Sequence, residues 1–61
     1  MYQKYCKLRD SKGVTDYRVA KDTGITLSTF TDWKNGRSNP GVEKLNKIAK
    51  YFNVSMEYFL D

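Results

Sequence analysis

The twenty residues from Asp16 to Asn35, "DYRVAKDTGITLSTFTDWKN", constrain the fold more tightly than any other stretch. They contain two helical patterns of about eight residues each, separated by a turn of about three residues centred on Gly24. Helices this short are marginal alone, so each must be held by packing against a neighbour. Ala20 stands where two helices cross closely, because its small side chain leaves room for the approach. Gly24 is the residue type favoured just past a helix end.

The flanking signals agree. Thr15 is a good N-cap, Asp16 suits the positive end of the helix dipole, and Val19, Ala20 and Thr23 form an inner face. After the turn, Thr26 is the expected N-cap of a helix running to about Asn35. Ile25 and Phe30 then occupy the two positions of a hydrophobic staple, and Phe30 and Trp33 face inward. Upstream, Tyr2, Tyr5 and Leu8 recur at helical spacing before Gly13, which predicts a first helix from Tyr2 to Ser11 with Cys6 as a small packing residue. Downstream, "NGRSNPG" (Asn35 to Gly41) is a turn-rich loop. Val42, Leu45, Ile48, Ala49 and Phe52 make the apolar stripe of a fourth helix, with Lys44, Lys47 and Lys50 on its wet face. Ser55 can cap a last short helix, Met56 to Leu60, whose Phe59 and Leu60 would close the core. No strand pattern or internal repeat occurs. The expectation is a single all-α domain over residues 1–61, a compact bundle of five helices in which the second and third have helix-turn-helix spacing, with its core at about residues 16–35.

Composition narrows the function classes. A chain of 61 residues buries only about 60% of the surface it exposes when unfolded, which supports one core and not two. One cysteine and no histidine exclude an internal disulfide and a structural zinc set, so neither metal nor cofactor is expected. No nucleophile has an evident base and no Gly-rich phosphate loop is present, which argues against an enzyme. No apolar run nears the ~20 residues of a membrane span, and a cytoplasmic protein is expected. "NVS" at Asn53 to Ser55 is read as a chance glycosylation sequon. The net charge of +4 permits a polyanionic partner. Its distribution says more: Met1 to Lys12 carries Lys4, Lys7, Arg9 and Lys12 against Asp10 alone, and Lys34 to Val42 carries Lys34 and Arg37 with no acid, whereas Glu57 and Asp61 make the carboxyl end acidic.

With "KLRDSKG" before the second helix, Trp33 and Gly36 spaced as W-x-x-G, Pro40 after the loop, then "LNKIAKYFNVS" and a terminal "YFL", the chain resembles the helix-turn-helix domain of the phage lambda-type repressor and Cro family. The resemblance covers essentially the whole chain. It implies the lambda repressor-like fold and a third helix lying in the major groove of double-stranded DNA, with the second bracing it against the backbone. Once Ile25, Phe30 and Trp33 are turned inward, the outward positions of the third helix are Leu27, Ser28, Thr31, Asp32 and Thr29, all short enough to approach a base edge. By resemblance, Leu27, Ser28 and Asp32 match base-contacting positions, and Thr31 joins them as an outward residue. Leu27 can pack on a thymine methyl, Ser28 can donate or accept, and Asp32 can accept from a cytosine amino group. Each also has a bland alternative: Leu27 as a loose apolar residue covering Ile25, Asp32 as a solvated acid paired with a nearby base. Asn35, Arg37 and Ser38 lie in the exit loop where the resemblance places phosphate contacts, and the loop amides there can also bind phosphate. Thr26, Thr29 and Lys34 are further candidates for backbone contact, and Lys34, Lys21 and Arg9 are the weaker ones because lysines on small helical domains are more often simply solvated.

Two positions depart from the family pattern. The first residue of the second helix is usually glutamine, a phosphate contact, and here it is Asp16, whose charge opposes that role. The residue after Trp33 is often a glutamate that pairs with the arginine matched by Arg9, and here it is Lys34. Arg9 is therefore expected to turn toward DNA or solvent. The reading is a sequence-specific transcriptional regulator of bacterial or phage origin, a repressor acting as a dimer on an inverted repeat, with Met56 and Tyr58 as exposed apolar candidates for the dimer contact. The alternative is a protein-interaction module of the same fold, such as the antitoxin of a toxin–antitoxin pair. Salt-sensitive retention on duplex DNA separates the two.

Overall fold

A computed structural model describes residues 1–60. Asp61, counted above in the acidic carboxyl end, lies outside the described residues. The elements are α1 (Tyr2–Lys12), α2 (Asp16–Thr23), α3 (Leu27–Lys34), α4 (Val42–Tyr51) and α5 (Glu57–Leu60), and no strand occurs among the described residues. α2 packs on both α3 and α4, and α1 packs on α5.

Helix ends follow the sequence signals closely. Gly13 (φ 73°) and Gly24 (φ 78°) end α1 and α2 in the left-handed region, which glycine enters without the Cβ clash other residues suffer. Thr15 caps α2, its Oγ1 accepting from the Arg18 amide at 3.1 Å. At the other end of α2, the Thr23 hydroxyl donates to the Val19 carbonyl at 2.7 Å and accepts from the Ile25 amide at 3.4 Å. The second half of the turn is thereby tied to the helix it leaves. Past α4, Asn53 takes φ 59° while the Val54 amide closes on the Ala49 carbonyl. Asparagine tolerates that conformation better than other non-glycine residues, which gives "NVS" a backbone role.

The core is Tyr5, Val19, Ala20, Ile25, Phe30, Trp33, Leu45, Ile48, Ala49 and Phe59, drawn from every helix and from the turn before α3. Tyr5 lies at its aromatic centre, with ring centroids 5.1 Å from Trp33 and 5.3 Å from Phe30. Both staple residues, Ile25 and Phe30, are buried in this cluster, so the entry angle of α3 is fixed from below. Leu8, Cys6 and Phe52 pack half-buried at its edge.

Several expectations are corrected. Val42 and Leu60 were assigned to the inner face and are instead 74% and 65% exposed. Val42 is the first residue of α4 and Leu60 the last of α5, and at those ends the apolar stripe runs past the elements that would cover it. Met56 and Tyr58 were expected to be exposed. Both are half-buried and packed against the core, Tyr58 from α5 and Met56 from the residue just before it.

Candidate nucleic-acid interface

α3 has two chemically distinct faces. Phe30 (0% exposed) and Trp33 (3%) hold it to the core, while Leu27 is 46% exposed at its first position. Ser28 and Thr31 are exposed and Asp32 is half-buried, so the four residues expected to approach bases share the side turned away from the core. Leu27 has no place in the core cluster.

The start of α3 differs from expectation in one bond. Thr26 occupies the N-cap position with extended backbone, yet its side chain makes no capping hydrogen bond. Its Oγ1 lies instead 3.2 Å from Ser28 Oγ and 3.1 Å from Thr29 Oγ1, forming a cluster of hydroxyls at the helix entrance. Lys44 Nζ on α4 donates to Thr29 Oγ1 at 3.5 Å, which brings a cation to this end of α3. Periodicity had put Lys44 on the wet face of α4, and no local signal tied it to α3. The link exists only in the tertiary packing.

The exit from α3 is built by its own backbone. Asn35 ends the helix, Gly36 takes φ 73°, and the Arg37 amide returns to the Asp32 carbonyl at 2.9 Å. The amides of Asn35, Gly36 and Ser38 likewise donate to carbonyls of α3. These loop amides, expected to be open to phosphate, are committed to capping the helix. The side chains of Lys34, Asn35, Arg37 and Ser38 are all exposed at this end. Arg37 Nη1 stands 3.7 Å from Asp32 Oδ1, with the side chains 74% and 39% exposed. An ion pair that open to water contributes little and exchanges easily for another anion.

Arg9 is the clearest correction. It turns neither to solvent nor outward but inward to Asp16, Nη1 to Oδ1 at 3.0 Å, with a second contact from Nε to Asp10 at 3.1 Å. Tyr5 also donates its hydroxyl to Asp16 Oδ1, at 2.7 Å. The pair that the family makes across to the residue after Trp33 is made here to the start of α2, and it offsets the charge of Asp16 that had appeared unfavourable near phosphate. Burial pushes the Tyr5 hydroxyl well above its ordinary titration range, and its bond to Asp16 adds to the effect. The bond to Asp16 raises the Arg9 guanidinium in turn.

Tyr17, not singled out in the sequence, is 65% exposed at the second position of α2. It lines an open groove with Lys12, Arg18, Lys21 and Tyr51. Lys12 covers the Tyr51 ring at 4.7 Å, and Arg18 pairs with Asp22 at 2.9 Å, while Lys21 remains exposed. Among the described residues, no group of three or more His, Cys, Asp or Glu could hold a metal ion, and no helix is long and apolar enough to cross a membrane.

Comparison with known proteins identifies the family. A helix-turn-helix family profile matches residues 7–59. An uncharacterised helix-turn-helix-type transcriptional regulator of Haemophilus influenzae is 46% identical over 39 residues, which are 64% of this chain and 16% of that protein. The helix-turn-helix-type transcriptional activator BcrR of Enterococcus faecalis is 28% identical over 58 residues, 95% of this chain and 28% of its own. YonR, an SPbeta prophage-derived uncharacterised regulator of Bacillus subtilis, is 32% identical over 54 residues, 88% of this chain and 50% of its own. The chain thus spans at most half the length of these relatives. No solved structure gives a significant match. The five-helix packing, the α2–turn–α3 geometry and the family match together show that the chain belongs to the helix-turn-helix family of the lambda repressor and Cro type.

Proposed function

We propose that this chain is a sequence-specific double-stranded DNA-binding transcriptional regulator that represses by occupying an inverted-repeat operator as a homodimer in the bacterial cytoplasm. The observation that carries the reading is the two-faced α3: core residues Phe30 and Trp33 on one side, Leu27, Ser28, Thr31 and Asp32 presented on the other. A recognition helix uses its amino-terminal residues on base edges, and here those residues are short, outward and free of core duties. Thr26, Thr29, Lys34, Asn35, Arg37 and Ser38 flank them as phosphate contacts, with Arg37 foremost because its pairing to Asp32 is loose. A single module of this size covers a small interface, which favours a second copy on a second half-site. The carboxyl-terminal end, where Leu60 is exposed and Met56 and Tyr58 are half-buried, is the surface assigned to that contact. The Enterococcus relative is named an activator, so a promoter fusion with and without the protein reads the direction of control.

Selection of bound sequences from a random duplex pool, followed by salt titration on the winner, tests this function. Arg37→Ala should weaken binding to all sequences and reduce the slope of log affinity against log salt by about one. Leu27→Ala should relax preference at one base pair. Equal losses on the selected and random duplexes for Leu27→Ala would remove its assigned role, and absence of any salt-sensitive retention would favour a protein partner instead.

A further inference from the structure

The outward face of α3 has a composition that decides what it can read. None of Leu27, Ser28, Thr31 and Asp32 is Arg, Lys, Asn or Gln, the side chains that make bidentate bonds to guanine or adenine in the major groove. What remains is an apolar group, a hydroxyl and a carboxylate. Thr31 adds to the apolar part, because its Oγ1 donates back to the Leu27 carbonyl at 3.4 Å. With the hydroxyl turned to the helix, the methyl is the branch left for a ligand. Leu27 and Thr31 stand four residues apart on one stripe of the helix, and Ser28 and Asp32 form the adjoining stripe. Four residues rise about 6 Å, close to the length of two base-pair steps. The carboxylate of Asp32 lies beside the loosely held Arg37, which lowers the cost of bringing it near phosphates.

We infer that α3 reads thymine methyl groups, with Leu27 and the back-bonded Thr31 forming the apolar strip that receives them and Asp32 accepting from a neighbouring cytosine amino group. The half-site then holds thymine next to a C·G pair. This inference rests on the DNA-binding reading above and goes further, since it names the chemistry recognised and adds Thr31 to it through its methyl and not its hydroxyl.

Replacing thymine by uracil removes only the C5 methyl and keeps base pairing, so it isolates the contact. On the selected duplex, uracil at either of two thymines within about two base-pair steps should weaken binding three- to fourfold, the value of one buried methyl. Thr31→Ser, which keeps the hydroxyl and drops the methyl, should lose affinity by a similar factor and become insensitive to uracil at its own position. Thr31→Val, which keeps the methyl and drops the hydroxyl, should retain both affinity and sensitivity. Circular dichroism of the variants checks that these exposed changes leave the fold intact. Full affinity for uracil-substituted duplex, or a Thr31→Val variant that behaves as Thr31→Ser should, would overturn the inference while salt-sensitive DNA binding persisted. Absence of duplex binding altogether would overturn both readings together.

Discussion

Tyr5 packs its ring fully inside the aromatic core while its hydroxyl reaches Asp16, so one side chain serves both the centre of the fold and the start of α2. The folded protein holds the hydroxyl proton more tightly than an unfolded chain, whose tyrosine titrates near pH 10. The stabilisation is therefore complete below about pH 10 and is lost as the pH rises beyond it. Urea unfolding followed across pH 8 to 12 should show this decline, and Tyr5→Phe should flatten it while costing about 1 kcal/mol at neutral pH for the missing bond. The opposite sign holds at Asp22, whose carboxyl is lowered by hydrogen bonds from Tyr51 and then from Arg18. Its contribution is present above the ordinary carboxylate range and fades as the pH falls through it. Neither network was legible in the sequence. Arg9 and Asp16 are separated by a helix end and a turn, and only the packing of α1 against the start of α2 brings them to 3.0 Å. The residue types were visible, but the partner was not.

At the scale of the element, the helices differ in how their ends are held, and that difference is testable. Thr15 makes a capping bond to the Arg18 amide, whereas Thr26 bonds to neighbouring hydroxyls. Thr15→Ala should therefore destabilise the domain by about 1 kcal/mol in thermal or urea unfolding, and Thr26→Ala by distinctly less, although the two residues look equivalent in the sequence. The helix boundaries themselves were readable within about two residues, because glycine at Gly13 and Gly24 and the staple around Phe30 act locally. The inner stripe of α4 was readable in Leu45, Ile48 and Ala49 for the same reason. Periodicity failed at Val42 and Leu60, since it records which stripe a residue occupies and not whether another element extends far enough to cover it. It also could not reveal the loop amides beyond α3, whose bonds depend on how the chain turns at Gly36.

For the molecule as a whole, the proposed interface and the core are two sides of the same eight-residue helix, so stability and the proposed recognition share their supports. A domain of 61 residues has a total stability of about 3 to 9 kcal/mol. Phe30 and Ile48 are both fully buried, and truncation of a buried phenylalanine or isoleucine typically costs about 2 to 5 kcal/mol. Phe30→Ala and Ile48→Ala should each lower the urea midpoint and the melting temperature followed by circular dichroism by a large fraction of the total stability, with DNA binding falling in step with the folded fraction. Leu27→Ala, at an exposed position, should alter binding and leave melting nearly unchanged. The single tryptophan separates these cases without a label. Trp33 is enclosed by Tyr2, Tyr5 and Phe59, with its indole nitrogen buried and the Tyr2 ring 5.5 Å away, edge to face. Its emission should be blue-shifted in the native protein and move to the red on unfolding. Because it lies on the core side of α3, away from exposed Leu27, Ser28 and Thr31, bound DNA should leave the wavelength of that emission in place, making the chain its own optical gauge of whether a binding defect comes from a lost contact or a lost fold.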